Sequence, residues 1–508
     1  MNKKYKSNLE EGNRQIKYGA AISYILIIFN TVAGLLYTPW MVNQIGQSDY
    51  GLYTLALSVI NLFLMDFGLS QAVSRFVSKY NSEGKQDKVN NFLGIAYKMY
   101  LLIDLFIMIV FIFIFLNIDN IYQGLTIDEL SKFKVVFSVA GIFSVIQFPF
   151  ISFNGILNAY EKFIELKICD LINRVLSISL IVIALLNGYG LYALVAANAA
   201  SGILTIVMKY IVIKRKTPVK SNLKYVNHEM TKEVTSFSTW SAVISIAQRL
   251  IFNITPTIIG IVSKSANIGI FGIAMSLEGY VFTLANALNG LFLPRISRLV
   301  SKDNWKNSIL ELMIKVGRIQ LYIIGLIFIG FVSIGHDFVY LWMGEGFSHS
   351  FYSAVLLILP SLIYLPQQIG NTVVVALNKV RSQARVYLIM AVVNVIFSFV
   401  FSYHWGSIGA SLSICLAYFL RIIGMNKVYY SELKLDIKEF YKKTYLNIMP
   451  YLFIVLAISL LYNFIFSAVT WENLVIKGIL IVITFVIVIW NFSMNLYEKE
   501  VVRNIIIR

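Results

Sequence analysis

A polar stripe crosses an apolar stretch of the chain between residues 236 and 262. Its members follow helical spacing and include one strong cation: Ser241, Ser245, Gln248, Arg249 and Asn253. An arginine about a dozen residues inside an apolar helix rarely faces lipid, because its insertion costs about 2.5–3.5 kcal/mol. Arg249 could hold an oxyanion such as a phosphate through two parallel N–H bonds, with Gln248 and Asn253 beside it. The alternative is a structural ion pair with Glu278, which lies at similar depth in the next apolar stretch.

A second candidate cation is Arg174, which shares one helical face with Asp170 and Ser177. It could bind the same kind of anion as Arg249. Alternatively, Arg174 pairs with Asp170 one turn away on its own helix. It could also extend toward the membrane surface, because both residues lie within about two turns of the end of their apolar stretch.

Two acids lie as deep as these cations. Glu278 and Asp104 are each about ten to twelve residues inside an apolar stretch. A carboxylate in surroundings of low dielectric constant can exchange a proton or bind a sodium ion, so both residues are candidates for coupling to H+ or Na+. No other cofactor is expected. The four histidines and two cysteines are scattered along the sequence and do not indicate a metal site.

Uncharged polar side chains also occur within the apolar stretches. The candidates for binding a polar ligand are Asn61, Asn286, Gln367 and Asn371. Each alone is more often a contact between helices, worth about 0.6 kcal/mol on average in one measured membrane protein. Together they predict a lining that suits a hydroxyl-rich ligand.

The scaffold that positions these residues is a set of membrane helices. Hydrophobic residues make up 58% of the 508 residues, charged residues only 14%, and the mean hydropathy is +0.73. This composition excludes a soluble domain of this length. About 20 apolar residues in a helix cross roughly 30 Å of hydrocarbon. Fourteen such runs occur, at residues 17–43, 50–74, 91–116, 134–158, 168–187, 190–213, 236–262, 268–293, 309–333, 351–377, 385–402, 406–429, 446–466 and 474–496.

The net charge of +17 is distributed very unevenly between the connections. With the amino terminus taken as cytoplasmic, 36 of the 43 Lys and Arg residues fall in the tails and the even-numbered connections. The opposite connections and the span ends beside them hold four, Lys132, Lys134, Lys264 and Lys477. With residues near span ends counted in this way on both sides, the remaining three, Lys98, Arg174 and Arg249, are assigned to the predicted spans. This asymmetry predicts that both termini are cytoplasmic. The basic character therefore reports orientation and some attraction to the lipid bilayer, and it does not indicate nucleic-acid binding.

Four of the eight prolines repeat at one spacing. Pro39 and Pro256 lie 217 positions apart, as do Pro149 and Pro366. Internal repeats are typical of transporters, and six helices per repeat give both copies the same orientation. We therefore predict an all-α integral membrane protein with two parallel six-helix repeats and two further helices. Because a proline removes a backbone hydrogen bond, these four residues are candidate hinges.

The predicted domains follow from this duplication. Residues 1–213 form an N-terminal six-helix bundle, and residues 214–235 form a basic cytoplasmic linker. Residues 236–430 form a second six-helix bundle, and residues 431–508 contain helices 13 and 14 and a cytoplasmic tail.

One stretch resembles a known family. Residues 45–80 are similar to the second-helix signature of the oligosaccharide flippases, in the polysaccharide-export branch of the multidrug/oligosaccharidyl-lipid/polysaccharide exporter superfamily. The residues that carry the resemblance are Gly46, Tyr50-Gly51-x-Tyr53, Asp66-Phe67-Gly68-Leu69, Ala72 and Arg75. The helix count, the basic linker and the length also match that family. The resemblance implies the fold of the multidrug exporters known as MATE transporters.

The resemblance also implies a function. Members of the family move an undecaprenyl-pyrophosphate-linked oligosaccharide repeat unit from the cytoplasmic to the outer leaflet by alternating access. They serve capsule, O-antigen or related surface polysaccharide synthesis. The expected location is the bacterial cytoplasmic (inner) membrane, and a polysaccharide polymerase or assembly protein is a candidate partner. The expected protein is a transporter and not an enzyme.

Three other functions remain open. A multidrug or cation antiporter of the same superfamily would share the fold, but its cationic substrates favour acidic cavities. A lipid II flippase would share the cationic cavity, although this chain lacks a cluster of arginines in its first two helices. A membrane glycan polymerase or ligase would usually need a large outer loop with catalytic residues, whereas the longest outer connections here are short.

Overall fold

The computed structural model describes residues 3–64, 67–286, 296, 299–300, 304–377 and 379–506. Within these ranges every regular element is a helix, which confirms the all-α prediction. The apolar composition explains this, because in hydrocarbon a helix satisfies the backbone N–H and C=O groups within its own segment. The chain divides into two compact units, Met1–Gly269 and Ile270–Arg508. The predicted domain boundaries at residues 213, 235 and 430 stay a prediction.

The first unit contains eleven α-helices among its described residues, together with the beginning of a twelfth. They are α1 (Lys3–Ile45), α2 (Gln47–Phe63), α3 (Leu69–Ser82), α4 (Gln86–Leu116), α5 (Ile118–Ile121), α6 (Ile127–Gln147), α7 (Ser152–Ala159), α8 (Phe163–Leu186), α9 (Gly190–Lys216), α10 (His228–Phe252), α11 (Ile254–Val262) and the first residues of α12 (Ser265–Asn286). In this unit α1 and α9 both pack against α8, and α2 packs against α6.

The second unit begins within α12. Its other α-helices are α13 (Trp305–Met343), α14 (His349–Ile358), α15 (Ser361–Tyr364), α16 (Gln368–Ala376), α17 (Val380–Ser431), α18 (Ile437–Tyr441), α19 (Met449–Ile465), α20 (Trp471–Val488) and α21 (Leu496–Ile506). The long helix α17 is broken at Gly406, whose φ of 54° and ψ of −125° are not helical. Glycine tolerates this positive φ because it has no Cβ atom.

Twelve helical segments of the described chain are long and apolar enough to cross a membrane. The difference from the fourteen predicted runs has two sources. The runs at 385–402 and 406–429 form the single segment Val380–Ser431, and no segment of the twelve corresponds to the run at 50–74. There α2 ends at Phe63, and Phe67 and Gly68 have positive φ of 49° and 75°. The count of fourteen and the repeat organisation stay predictions.

The prolines mark interruptions in three places. Pro149 lies in the 3-10 turn Phe148–Ile151 between α6 and α7, and Pro366 lies between α15 and α16. Pro256 lies in the first turn of α11, directly after the break at Asn253. Pro39 differs, because α1 continues through it. The hinge role of the four prolines stays a prediction.

The beginnings of α2 and α12 approach each other closely in the first unit. A Cβ atom added to Gly51 would lie 2.1 Å from the backbone oxygen of Ser265, so only glycine fits this contact. The hydroxyl groups of Ser48 and Ser265, 217 positions apart, both donate hydrogen bonds to the carboxylate of Glu129 at the start of α6. This cluster fixes the packing of three helix ends.

Candidate functional site

Arg174 lies in the middle of α8, 11 residues after Phe163 and 12 before Leu186. At 1.5 Å per residue, this places its backbone about 16–18 Å from either end of the helix. Its side chain is half-buried, and its Nε atom is buried without a hydrogen-bond partner among the described residues. A cation at this depth with an unmet donor is the strongest functional feature of the first unit.

The surroundings of Arg174 are polar and aromatic. Tyr37 of α1 and Tyr53 of α2 lie within electrostatic range of its guanidinium. The Tyr53 hydroxyl accepts a hydrogen bond from the Asn198 side chain at 2.7 Å, and the Asn198 side-chain oxygen accepts one from the Ser177 hydroxyl at 2.6 Å. This chain of bonds fixes one side of the cluster across α2, α8 and α9.

Other polar atoms of the helices α1 and α8 are unsatisfied. Three of their oxygen atoms are buried without hydrogen-bond partners among the described residues, namely Asn30 Oδ1, Tyr37 OH and Asn173 Oδ1. A buried polar atom without a partner costs about 1–3 kcal/mol, so native proteins rarely hold several unless water or a ligand reaches them. The Arg174 guanidinium and the Tyr37 O–H can donate to an anionic group, and the two amide oxygens can accept from hydroxyl groups.

The alternative ion pair of Arg174 with Asp170 is not formed. The Asp170 carboxylate lies 2.8 Å from Lys209 Nζ of α9 and 3.7 Å from Lys167 Nζ. Lys209 also donates a hydrogen bond to the side-chain oxygen of Asn154 at 2.9 Å. Because Lys209 neutralises Asp170, the positive charge of Arg174 is left for another partner.

Arg421 was not among the predicted site residues, because the charge count assigned it to the cytoplasmic side. It lies in α17, 15 residues after the break at Gly406 and 10 before the helix ends at Ser431, and it is 7% exposed. The centres of three tyrosine rings surround its guanidinium carbon, Tyr364 at 4.7 Å, Tyr387 at 4.9 Å and Tyr418 at 5.5 Å. The sequence did contain an indication that Arg421 is buried, because this residue lies inside the apolar run at 406–429.

Glu278 of α12 belongs to the same region of the second unit. It is half-buried and lies within electrostatic range of Tyr364 and Tyr418. No ion pair within 4.0 Å joins Glu278 to Arg421. We call Arg421, Glu278 and the three tyrosines the Arg421 cluster.

The predicted stripe on α10 occupies the end of that helix. Arg249 is half-buried, Gln248 is exposed, and Asn253 lies at the break between α10 and α11. Asn61 is half-buried in α2. Asn286 ends α12, and its side chain lies outside the described residues, as does the whole of Asp66. Roles in binding for these residues stay predictions.

Two other predicted residues are hydrogen-bonded within the second unit. Gln367 donates to the Tyr441 hydroxyl at 2.7 Å. Asn371 accepts from the Tyr429 hydroxyl at 2.8 Å. Both side chains are buried, so these bonds hold α16 against its neighbours. Asp104 is half-buried in α4, and its Oδ1 atom is buried without a hydrogen-bond partner in the described part of the chain.

Comparison with known proteins identifies the family and the fold. The family model described as polysaccharide biosynthesis protein matches residues 16–300. No curated protein sequence matches the chain.

Three solved structures illustrate the similarity of fold. The lipid II flippase MurJ in an inward closed conformation is 16% identical, with a TM-score of 0.73 over 93% of this chain and 99% of that one. An inward-facing multidrug resistance MATE family transporter of the MOP superfamily is 14% identical, with a TM-score of 0.63 over 82% and 99%. A mutant form of the Vibrio cholerae MATE transporter VcmN is 11% identical, with a TM-score of 0.57 over 83% and 98%. The TM-scores show a similar fold, and at these low identities they show the fold alone. Because the family match covers more than half of the sequence, the chain belongs to the polysaccharide biosynthesis protein family.

Proposed function

We propose that the protein is a flippase for an undecaprenyl-pyrophosphate-linked oligosaccharide repeat unit. It moves this unit from the cytoplasmic to the outer leaflet of the bacterial cytoplasmic membrane by alternating access, for capsule, O-antigen or related polysaccharide synthesis. Its termini are cytoplasmic. Family membership and a fold similar to that of a lipid II flippase support the proposal.

The observation that carries the proposal is the environment of Arg174. A diphosphate crossing hydrocarbon needs a cation that is not already neutralised, and Lys209 takes up the nearby carboxylate of Asp170. The buried Nε of Arg174 has no hydrogen-bond partner in the described chain and can donate to a phosphate oxygen. Bonds between a guanidinium and a phosphate are strong because both partners are charged.

Polar groups of the same unit suit the sugar next to the diphosphate. Asn30, Tyr37 and Asn173 each present a buried oxygen without a partner in the described residues. Oxygen atoms of this kind accept hydrogen bonds from sugar hydroxyl groups, and tyrosine also offers its ring and its O–H donor. Further candidates for contact with the ligand in this unit are Arg249, Gln248, Asn253 and Asn61.

Transport also needs an energy source and a moving part. We assign coupling to H+ or Na+ to Glu278 and Asp104, two half-buried carboxylates of α12 and α4. Neither is part of an ion pair within 4.0 Å among the described residues. The four prolines serve as hinges in this proposal.

A second candidate function is flipping of lipid II, which the fold similarity to MurJ over 93% of this chain favours. Lipid II carries the same polyprenyl diphosphate, so the Arg174 site would bind it by the same chemistry. The two functions therefore differ only in the sugar that is accepted.

The test is a flipping assay in proteoliposomes of known protein orientation. Labelled undecaprenyl-pyrophosphate oligosaccharide is compared with lipid II and with a cationic dye. Loss of a charge-assisted hydrogen bond costs about 1.5–3 kcal/mol, so Arg174→Gln should slow oligosaccharide flipping by about 10- to 150-fold. Arg174→Lys should retain part of the rate. The control is Arg215→Gln, at an exposed arginine in the last turn of α9, which should leave the rate unchanged.

Each other result changes the assignment. Equal rates for the wild type and Arg174→Gln would show that Arg174 is structural. Flipping of lipid II alone would establish the second function, and export of the dye alone would establish a multidrug antiporter. Cleavage or polymerisation of the glycan would establish an enzyme.

A further inference from the structure

The Arg421 cluster holds a buried cation without a hydrogen-bonded partner. None of the five N–H groups of Arg421 donates to any residue in the described part of the chain, and its Nε atom is fully buried. Its guanidinium carbon lies 4.7, 4.9 and 5.5 Å from the centres of three aromatic rings. An aromatic face attracts a guanidinium but accepts no strong hydrogen bond, so the donors remain available.

The energy of this arrangement indicates a missing acceptor. A cation–π contact contributes about 0.5–2 kcal/mol, whereas a buried charge loses several kcal/mol of hydration. Three rings offset part of that cost, but they leave the hydrogen bonds of the guanidinium unmade. By contrast, Arg318 in the same unit donates to a carboxylate, a hydroxyl and backbone carbonyls. The described residues therefore leave the Arg421 donors available to a further acceptor.

The charge of the cluster restricts the acceptor. Glu278 lies near Tyr364 and Tyr418, so one basic and one acidic group share the site. The Arg174 site differs, because its nearest carboxylate on the same helix is neutralised by Lys209. A diphosphate carries two or more negative charges, which exceed the single positive charge of Arg421, and an ionised Glu278 would repel it strongly. A group with one negative charge and adjacent hydroxyl groups matches the charge of Arg421 and is repelled less.

The remaining polar atoms of the cluster can form hydrogen bonds with a sugar. The Ser361 hydroxyl donates to the Tyr364 hydroxyl oxygen at 3.3 Å, which leaves the Tyr364 O–H free to donate to a ligand. Glu278 can accept from sugar hydroxyl groups, and the tyrosine rings can pack against the apolar face of a pyranose ring. The planar fork of Arg421 fits a carboxylate with two parallel hydrogen bonds.

From these contacts we propose that the Arg421 cluster is a sugar site for a carboxylate-bearing monosaccharide. Resting on the proposed function, it implies that the transported oligosaccharide contains an acidic sugar. Arg421 binds its carboxylate, Glu278 accepts its hydroxyl groups, and Tyr364 donates to a ring substituent.

The experiment measures ligand binding to the full chain in lipid nanodiscs by calorimetry. The probes are D-glucuronate, D-glucose and inorganic pyrophosphate. Wild type should bind glucuronate at least tenfold more tightly than glucose. Arg421→Gln should remove this preference and leave pyrophosphate binding unchanged, whereas Arg174→Gln should weaken pyrophosphate binding and keep the preference for glucuronate. The matched control is Arg385→Gln, an exposed arginine of the same helix α17, which should behave as wild type.

A second variant covers the case in which Arg421→Gln does not fold. Glu278→Gln removes the negative charge, so it should tighten glucuronate binding and allow pyrophosphate to compete with it. Equal binding of glucuronate and glucose by wild type would overturn the proposal, as would a preference that survives Arg421→Gln. Pyrophosphate binding that depends on Arg421 would make the cluster a phosphate site instead. None of these results depends on flipping, so the proposed function is tested separately.

Discussion

The C-terminal helix α21 is held in the second unit by one buried ion pair. Arg318 of α13 and Glu498 of α21 are 6% and 3% exposed, and two guanidinium nitrogens of Arg318 donate to the Glu498 carboxylate. Arg318 also donates to the Tyr322 hydroxyl at 2.9 Å, to the Lys443 carbonyl at 2.8 Å and to the Ser493 carbonyl at 2.9 Å. We predict that Arg318→Met releases α21 locally while the rest of the unit stays folded.

The magnitude follows from the charge that is left behind. Removing one partner of a buried pair costs about 3–5 kcal/mol, because the other charge remains buried without compensation. At least about 3 kcal/mol would be lost from the closed state of α21. Since 1.4 kcal/mol corresponds to a factor of ten, local opening should become more than about 100-fold more frequent. Arg318→Met/Glu498→Gln should recover part of this loss, because no unpaired carboxylate remains.

The assay is hydrogen–deuterium exchange measured by mass spectrometry on peptides from α21. The control is Glu311→Gln, two turns from Arg318, which breaks an exposed pair with Lys315 and leaves the contact of Lys315 with the Tyr497 ring of α21 in place. Exposed i,i+4 pairs contribute about 0.3–0.5 kcal/mol, so exchange in α21 should change by less than about threefold. If Arg318→Met and Glu311→Gln have the same small effect on α21, the reasoning from burial is wrong.

Two further predictions concern thermal stability in detergent, measured by fluorescence-detected size exclusion after heating. Gly51→Ala should lower the melting temperature because its Cβ would lie 2.1 Å from the Ser265 oxygen, whereas Gly279→Ala, with nothing within 4 Å of the new Cβ, should preserve or raise it. Equal melting temperatures for the two variants would contradict the close contact. Lys477→Met should also lower the melting temperature, because the buried Lys477 lies 2.6 Å from Asp337, and removing it leaves that carboxylate without its cation. Lys477→Met/Asp337→Asn should restore part of the loss, and a single variant as stable as wild type would show that solvent already hydrates Asp337.

The sequence was sufficient to predict the helices but not where each of them breaks. Hydrophobic runs identify a span because each residue contributes independently to insertion. A break depends on individual backbone angles. The run at 50–74 is interrupted where Phe67 and Gly68 take positive φ. The gap between the predicted runs at 385–402 and 406–429 is replaced by one non-helical residue, Gly406. Neither outcome follows from hydropathy, because the residues at both breaks are mostly apolar or small.

At the Arg174 site, too, the sequence predicted some features and not others. Helical spacing correctly placed Asp170 one turn from Arg174. It left open whether Arg174 binds an anion, pairs with Asp170 or extends toward the membrane surface. The decision came from Lys209, which is 39 positions from Asp170 in sequence and reaches it from α9. Pairing between helices depends on how the helices pack, so no local pattern could predict that Arg174 would be left without its carboxylate.

Arg421 was missed for a different reason, which suggests a better rule for membrane sequences. The positive-inside rule counts every basic residue near the end of a span as evidence of orientation. Arg421 precedes the end of α17 by 10 residues, which corresponds to about 15 Å of helix, and it is 7% exposed. An arginine side chain is shorter than that distance. Its neighbour Tyr418, three residues earlier, shares its helical face and supplies a ring at 5.5 Å. A basic residue should therefore be excluded from the charge count when its depth exceeds the reach of its side chain, and treated as a candidate binding residue.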